Sequence, residues 1–483
     1  MNYKMMGRFI AQIIAVEALF MLPALAISLG YGEGPAVKAF LITIGIIFAL
    51  TAVLYLICHR SGRLFGAREG LVCVAVSWIV MSFLGALPFV LCGQVDSYID
   101  ALFEIVSGFT TTGSSVIADV EGLYRGILYW RCFSHWIGGM GVLVFLLAIL
   151  PGSQGSGFTM HLLRAESPGP DVGKLVPKMR QTAAILYVIY VAMTVVNVIF
   201  LLAGDVHWLE ALCIAFGTAG TGGFGVYNSS MADVSPYVQN VTTVFMFLFG
   251  VNFSCYYLLV MRQFRSVVKD EELRMYVGLA IACVVALVIS VRPLYETLEE
   301  TIRHAAFQVS SIMTTTGFGT TDFDRWPGFA KSILLLLMIV GASAGSTGGG
   351  LKCIRVLLLF KILGRNIRRI LNPSKVLVIR SNGKTMDEKV LDNLNAYLAA
   401  YMIIVILSTL LISIDGFGLE TSLSAVLATF NNIGPGFGAV GPTCTYAGFS
   451  VFSKLIMIFC MLAGRLEIFP MLILFAKSTW SRK

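Results

Sequence analysis

Four short stretches of this chain combine small or hydroxylated residues with a glycine: Thr110-Thr111-Thr112-Gly113, Ala219-Gly220-Thr221-Gly222, Thr314-Thr315-Thr316-Gly317 and Asn431-Asn432-Ile433-Gly434. Each follows a short, mostly apolar helix-like segment and precedes a long apolar one, and they recur roughly a hundred residues apart. A cation stripped of water needs several oxygen dipoles at a fixed radius, and backbone carbonyls supply them without side-chain charge. Glycine permits the positive φ that turns successive carbonyls toward one axis, and threonine hydroxyls add oxygen at the inner edge. One such loop is equally consistent with a surface of small residues that lets helices approach closely. Four in register point to four walls around one ion path.

The elements that must hold these loops are membrane helices. Of 483 residues, 57% are hydrophobic and 13% charged, and the mean hydropathy is +0.82; a soluble domain carries about 25% charged residues. Many apolar runs reach the roughly 20 residues needed to cross about 30 Å of hydrocarbon. The first, Ile10 to Leu29 behind Lys4 and Arg8, has the outline of a signal peptide. A second, Phe40 to Cys58, follows at once and no cleavage site is convincing, so both are read as retained helices.

Charge along the chain sets the orientation. The connectors with His59, Arg60, Arg63 and Arg68; Arg164, Lys174, Lys178 and Arg180; Arg262, Arg265, Lys269 and Arg274; and Lys361, Arg365, Arg368, Arg369, Lys375 and Arg380 are basic and therefore cytoplasmic. The stretch with Asp96, Asp100, Glu104, Asp119 and Glu121 is acidic and external, and all four glycine loops fall on that side. Lys4 and Arg8 at one terminus, and Lys477, Arg482 and Lys483 at the other, place both termini in the cytoplasm. The net charge of +8 thus reports topology, and no nucleic-acid partner is expected.

The expected fold is an all-α polytopic membrane protein with about ten spans. Four repeats share one orientation in a pseudo-fourfold arrangement: spanning helix, short re-entrant helix, glycine loop, spanning helix. Residues 1–68 carry the two N-terminal transmembrane helices, 69–150 repeat 1, 151–181 a cytoplasmic connector, 182–262 repeat 2 and 263–274 a second connector. Residues 275–363 form repeat 3, 364–389 a basic cytoplasmic connector and 390–483 repeat 4. The re-entrant helices are Tyr98 to Phe109, His207 to Thr218, Leu298 to Met313 and Leu419 to Phe430, each too short to cross. Irregular backbone at membrane depth survives only against protein or water, so the loops face inward. The C-terminal ends of these helices, each carrying roughly half a negative charge, then converge on a cation.

Several functions are excluded. The ten cysteines lie mostly in apolar runs without CxxC spacing, and the five histidines are dispersed, which leaves no zinc site. No intramembrane Ser/His pair, paired aspartates, HExxH or Walker motif is present, so the chain is not an enzyme and binds no nucleotide itself.

The segments Ser107 to Ser115, Thr221 to Phe224, Thr314 to Phe318 and Asn431 to Gly436, with His135-Trp136-Ile137-Gly138-Gly139-Met140-Gly141 and Arg164-Ala165-Glu166-Ser167-Pro168-Gly169-Pro170, resemble the Trk/Ktr/HKT superfamily of potassium transporters, specifically its TrkH/TrkG branch. The resemblance covers nearly the whole chain. It implies a pore-forming subunit that moves K⁺ across the bacterial inner membrane, as a homodimer on a cytosolic nucleotide-binding ring of RCK type, so that nucleotide acts only through that partner. It assigns the K⁺-binding carbonyls to Thr111, Thr112, Gly220, Thr221, Thr315, Thr316, Asn432 and Ile433, with Gly113, Gly222, Gly317 and Gly434 as turning residues. Serine at the first glycine position accompanies Na⁺ permeation in this superfamily, and glycine at all four positions favours K⁺.

A gate is expected below the third loop. The run Gly341-Ala342-Ser343-Ala344-Gly345-Ser346-Thr347-Gly348-Gly349-Gly350-Leu351-Lys352 interrupts an apolar segment, and each glycine weakens a helix by about 1 kcal/mol relative to alanine. The helix should break over 341–352, and the resemblance makes this an intramembrane gating loop, with Gly345, Gly348 and Gly349 as its gate residues; a bend serving packing alone is the other reading. Only the third repeat carries such a run. Arg465, inside an apolar segment, is read as a pore-facing cation in preference to an ion pair with Glu467, because i and i+2 side chains do not share a helix face. Lys352 sits either near the cytoplasmic mouth or as a snorkelling interfacial lysine. The basic connector 364–389 suits membrane lipid headgroups and the cytosolic ring alike. The alternative function is a symporter coupling K⁺ to H⁺ or Na⁺. Such carriers often have inverted repeats, whereas these repeats run in one sense.

Overall fold

The computed structural model describes residues 2–58, 67–139, 141, 179–375 and 377–480. The connectors around Arg60 and Arg63 and around Arg164 to Lys178, the Arg164 to Pro170 segment, Met140 and the far end of the first repeat's second span lie outside the described residues.

Two long helices, Tyr3–Gly30 and Gly34–Cys58, pack on each other, and both pack on repeat 1, the second through Leu87–Leu91. They extend beyond the apolar runs because Asn2 caps the first helix, its side chain accepting the Met5 N–H at 3.2 Å. Each repeat then begins with an outer helix: Ala67–Gly85 continued by Leu87–Leu91, Met179–Leu202, Glu271–Val291 and Glu388–Ile412. The pore helices are Tyr98–Phe109, Trp208–Gly220, Leu298–Met313 and Leu419–Phe430. Their C-terminal halves are buried on every side, from Ala101 to Phe109 in the first for example.

The inner helices depart from the sequence expectation. Among the described residues six helices are long and apolar enough to cross a membrane, seven if one bent pair counts as a span. The shortfall against ten arises because inner helices are broken in more than the third repeat and because the far end of the first repeat's second span lies outside the described residues. In repeat 2, Pro236–Phe249 and Phe253–Val260 meet at 89°. In repeat 3 the helix Gly328–Val340 ends and Cys353–Leu371 begins after residues 341–352. In repeat 4, Val451–Arg465 gives way to Phe469–Phe475 through Glu467 and Ile468, whose φ values are 61° and 64°. In repeat 1, Arg125–Gly139 is followed by Gly141 at φ 75°.

The repeats close on themselves. Pore helix 2 packs on inner helix 1, pore helix 3 on Pro236–Phe249, pore helix 4 on Gly328–Val340, and pore helix 1 on Val451–Arg465. Each repeat therefore inserts its pore helix against the inner helix of the one before, and the fourth completes a ring with the first. In the connector before repeat 4, Arg380–Ser381 and Lys384–Thr385 form a small antiparallel hairpin, turned by Asn382 and Gly383 at φ 50° and 77°. Positive φ at both central residues is the mark of a type I′ turn.

Candidate functional site

Every pore helix ends in the same way. The amides of Thr111, Thr221, Thr315 and Asn432 reach back three residues, to the carbonyls of Gly108, Thr218, Ile312 and Thr429 at 3.0, 3.1, 3.1 and 3.4 Å. The following amides, of Thr112, Gly222, Thr316 and Ile433, reach back five, to Ser107, Gly217, Ser311 and Ala428, each at 2.8 Å. This is the Schellman pattern of helix termination, in which the reversing residue is left-handed. Thr111, Thr221, Thr315 and Asn432 have φ of 56°, 54°, 58° and 56°. Glycine is the usual occupant, and a non-glycine residue there costs about 1–2 kcal/mol. Three of the four are β-branched threonines, so backbone strain is concentrated in the loops, where the surrounding structure holds it.

Two residues further on, glycine is obligatory. Gly113, Gly223, Gly317 and Gly434 have φ of 82°, 74°, 87° and 101°. A Cβ on Gly113 would lie 2.0 Å from the Gly222 carbonyl oxygen, on Gly223 2.0 Å from that of Thr316, and on Gly317 2.0 Å from that of Ile433. A Cβ on Gly434 would lie 2.9 Å from the Thr112 oxygen. The carbonyls of Thr112, Gly222, Thr316 and Ile433 thus each rest on the glycine of the preceding repeat, and the fourth repeat's glycine carries the carbonyl of the first.

The second loop is offset by one residue from the sequence reading, which had its carbonyls at Gly220 and Thr221 and its turn at Gly222: in backbone geometry the counterparts of Thr111, Thr112 and Gly113 are Thr221, Gly222 and Gly223. The cause is the pore helix, which continues through Ala219 to Gly220 instead of stopping at Thr218. Gly222 is held to glycine by a different neighbour, the His135 ring, whose Nδ1 would stand 2.3 Å from its Cβ.

Behind loops 1 and 2 lies a charged network that sequence reasoning missed. Glu104 and Arg131 form an ion pair at 2.6 Å with side chains 0% and 3% exposed. Glu104 also accepts the Val116 N–H at 2.9 Å and the Ser115 hydroxyl at 2.9 Å, while Arg131 donates to the Gly225 carbonyl at 3.1 Å. Its guanidinium lies 3.6 Å from the centre of the Phe224 ring, a cation–π distance. One buried pair therefore fixes the segments that follow Gly113 and Gly223. His135 adds a second tie: the Phe224 N–H donates to its Nε2 at 3.2 Å, which leaves the Nδ1 proton for the Gly108 carbonyl at 2.8 Å. Glu104 had been counted with an acidic external connector. The signal that finds it is a charge inside an apolar helical run with a second charge, Arg131, in the next.

Loops 4 and 1 are joined by Tyr446 and Ser114, whose hydroxyls donate to the Gly434 carbonyl at 2.7 and 3.1 Å. Loop 3 is tied to repeat 2 by the Met231 N–H on the Gly319 carbonyl at 2.9 Å. Gln308, which occupies in repeat 3 the place of Glu104, is buried with neither amide atom paired. At the rim, Asn228 donates to Asp119 at 2.9 Å and accepts the Val120 N–H at 2.8 Å. Its amide, with the Gly122 N–H, holds the Asp119 carboxyl below the usual carboxylate range.

At the inner ends of the loops sits the break of repeat 3. The Gly349 N–H donates to the Thr315 hydroxyl at 2.6 Å. Cβ atoms on Gly348 and Gly349 would lie 2.7 Å from the Thr314 carbonyl and 2.2 Å from that of Asn431, so the loop presses directly on pore loops 3 and 4. The Gly345 carbonyl accepts the Phe253 N–H at 3.0 Å.

Arg465 is the last residue of Val451–Arg465, where a cation suits the helix dipole. Its guanidinium donates to the Thr347 carbonyl at 2.8 Å, the Gly139 carbonyl at 2.7 Å, the Thr111 hydroxyl at 3.2 Å and also the Gly138 carbonyl. It thereby joins inner helix 1, pore loop 1 and the repeat 3 loop. The Glu467 carboxylate, which the sequence reading set aside as a partner for Arg465, is bonded by Arg355, whose guanidinium lies 4.1 Å from the Tyr397 ring centre. Lys352 is neither at the mouth nor snorkelling; it is 2% exposed and donates to the Gly348 carbonyl within its own loop.

Four re-entrant loops closing one ring inside a bundle of apolar helices define an all-α polytopic membrane protein of the pore-loop class. Residues 36–483 match the family model TrkH, described as a cation transport protein, and the chain belongs to this family of membrane transporters, which are not enzymes. It is 35% identical to the Trk system potassium uptake protein TrkH of Salmonella typhimurium over 487 residues, covering 99% of this chain and 100% of that protein. It is 31% identical to the Trk system potassium uptake protein TrkG of Escherichia coli K12, covering 97% and 96% of the two chains. The crystal structure of the potassium transporter TrkH from Vibrio parahaemolyticus matches with a TM-score of 0.88 at 30% identity, covering 100% of both chains.

Proposed function

We propose that this chain takes up K⁺ across the bacterial inner membrane, with both termini cytoplasmic, and that the ion passes through the ring of carbonyls at Thr111, Thr112, Thr221, Gly222, Thr315, Thr316, Asn432 and Ile433. The observation that carries this reading is the cyclic contact of each carbonyl with the glycine of the preceding repeat. It closes four carbonyls into one cycle without any side-chain charge, the ligand type that dehydration of a monovalent cation requires. The potassium uptake named for the relatives agrees with it.

Residues 341–352 and Arg465 form the gate. The loop fills the space at the inner ends of pore loops 3 and 4, and Arg465 holds it there while placing a positive charge on the ion's route. Opening requires Arg465 to release Thr347 and the loop to swing away from Thr315. Control comes from a homodimer seated on a cytosolic nucleotide-binding ring of RCK type, which contacts the basic connector 364–389 beside anionic lipid headgroups.

The test is flux in liposomes holding the purified chain. K⁺ should move down an imposed K⁺ gradient without any H⁺ or Na⁺ gradient, and faster than Na⁺. Flux that appears only with a H⁺ or Na⁺ gradient overturns the pore in favour of a symporter.

A further inference from the structure

We propose that Glu272 latches the inner loop shut and that the hairpin 380–385 is the handle through which the cytoplasmic side releases it; this rests on the reading of 341–352 as the gate. Glu272 stands in the first turn of outer helix 3 and is 4% exposed. Its Oε1 accepts the Ala344 N–H at 2.6 Å and the Ile354 N–H at 3.1 Å. Ala344 lies early in the loop, and Ile354 in the first turn of the helix after it, so one carboxylate oxygen holds both ends. The Ile354 amide is one of the donors that a helix start leaves unsatisfied, and a carboxylate there also meets the positive end of the helix dipole. On the same side, the Ser343 N–H donates to the Gly250 carbonyl at 3.1 Å, which ties the loop to the bend of repeat 2.

The two residues before Glu272 face the other way. The Asp270 carboxylate accepts the Asn382 amide at 2.8 Å, and the Glu271 N–H donates to the Asn382 oxygen at 2.9 Å. Lys361, on the helix below the loop, bonds the Glu271 carboxylate and the Arg380 carbonyl, the latter at 2.7 Å. Asp270, Glu271 and Glu272 thus grip the hairpin, the lower half of inner helix 3 and the loop in turn. A force on the exposed hairpin reaches the loop across two peptide bonds. A structural tie alone needs no such adjacency between an exposed cytoplasmic turn and a buried carboxylate. The carbonyl ring lies on the far side of the loop and shares no bond with Glu272, so the latch sets how often the path opens and leaves its selectivity alone.

The experiment compares K⁺ flux of the full chain in liposomes with that of Glu272→Ala, Glu272→Gln, Asn382→Ala and the double variant. Glu272→Ala should raise flux on the order of tenfold, the scale set by hydrogen bonds to a charged acceptor, with an unchanged K⁺/Na⁺ ratio. Glu272→Gln keeps the acceptor oxygen and should restore most of the closed state. Asn382→Ala should raise flux less, and the double variant no more than Glu272→Ala alone. Unchanged flux in folded Glu272→Ala, an altered ion ratio, or additive effects in the double variant would each overturn the latch. Thiol labelling of Ala344→Cys on a Cys444→Ser background, where the other nine cysteines are buried, reads the loop directly and should quicken with Glu272→Ala. Labelling that quickens in a chain without K⁺ flux sinks the pore reading and spares the latch; flux without quickened labelling does the reverse. Where Glu272→Ala fails to assemble, unchanged flux and labelling in Asn382→Ala, on the exposed turn, overturn the proposal.

Discussion

The outer and inner halves of the pathway are built on opposite plans. In the outer half, four loops with three different sequences converge on one backbone: the five-residue return bonds are all 2.8 Å, and the reversing residues lie between φ 54° and 58°. In the inner half, three inner helices break in three ways: an 89° bend after Gly250, a glycine-rich loop from 341 to 352, and two residues with positive φ, Glu467 and Ile468, that include no glycine. The difference follows from what each half has to do. Coordination requires every ligand at the same radius, so each repeat must repeat its backbone even where threonine or asparagine strains to adopt it. Obstruction requires only one element to fill the path, and the other breaks need only make room for it or hold it.

The largest effect should separate the two halves most sharply. Gly317→Ala and Gly345→Ala both place a side chain at positive φ, 87° and 69°, so both incur about 1–2 kcal/mol of backbone cost. At Gly317 the new Cβ meets the Ile433 carbonyl at 2.0 Å; at Gly345 it meets the Asn252 side chain at 3.0 Å, which can move. Gly317→Ala should abolish K⁺ flux, and Gly345→Ala should leave it within severalfold of the parent. Equal losses would show that the ring is no more constrained than the break. Gly113→Ser acts through the same clash, on the Gly222 carbonyl, and should lower the K⁺/Na⁺ permeability ratio; an unaltered ratio would remove Gly113 from the ion site.

Next come the buried charges. Removing one partner of a buried ion pair costs about 3–5 kcal/mol, because the other charge is left without compensation. Arg131→Ala, behind the ring, should therefore lower the unfolding temperature in detergent more than Arg355→Ala at the break, whose pair with Glu467 is 14% and 15% exposed. Replacing Glu104 and Arg131 together with methionine should recover much of the loss. An equal drop for the two arginines would mean that the ring is not the more tightly braced half.

The ring was legible in sequence because its constraints are local. Short apolar segments before Thr110, Thr314 and Asn431 end where the hydroxylated residues and glycines begin, and composition alone marks those ends. Loop 2 slipped by one residue because Ala219 and Gly220 look like loop residues, yet helical bonding carries through them until Thr221 takes the left-handed position. The break at 341–352 was legible from its glycines. The others were not: Glu467 and Ile468 have positive φ against their own propensities, imposed by tertiary contacts such as the Arg355 pair. Glu104, Arg131 and Glu272 were invisible as a group because their partners lie up to 94 residues away along the chain.

The proposed gate sets the third effect. Arg465→Ala, or deletion of Gly345 to Gly349, should raise K⁺ flux severalfold while the K⁺/Na⁺ ratio stays constant, since neither change touches the glycine–carbonyl contacts. Unchanged flux in both would remove the loop and the arginine from the gate.

The smallest effect tests the seam between the halves. Thr221 and Thr315 occupy equivalent left-handed positions at φ 54° and 58°. Glycine at either relieves about 1–2 kcal/mol of strain and returns roughly 0.5–1 kcal/mol of chain entropy to the unfolded state, so stability should change by no more than about 1.5 kcal/mol. The hydroxyls differ in their use. That of Thr221 bonds only the adjacent Gly220 carbonyl, at 2.6 Å, whereas that of Thr315 accepts the Gly349 N–H at 2.6 Å and so pins the inner loop to the ring. Thr221→Gly should leave flux unchanged. Thr315→Gly should raise it about twofold to tenfold, the scale of one hydrogen bond, without altering the K⁺/Na⁺ ratio. A matching rise in both would mean that backbone strain, and not the Thr315–Gly349 bond, couples the regular half of the pathway to the irregular one.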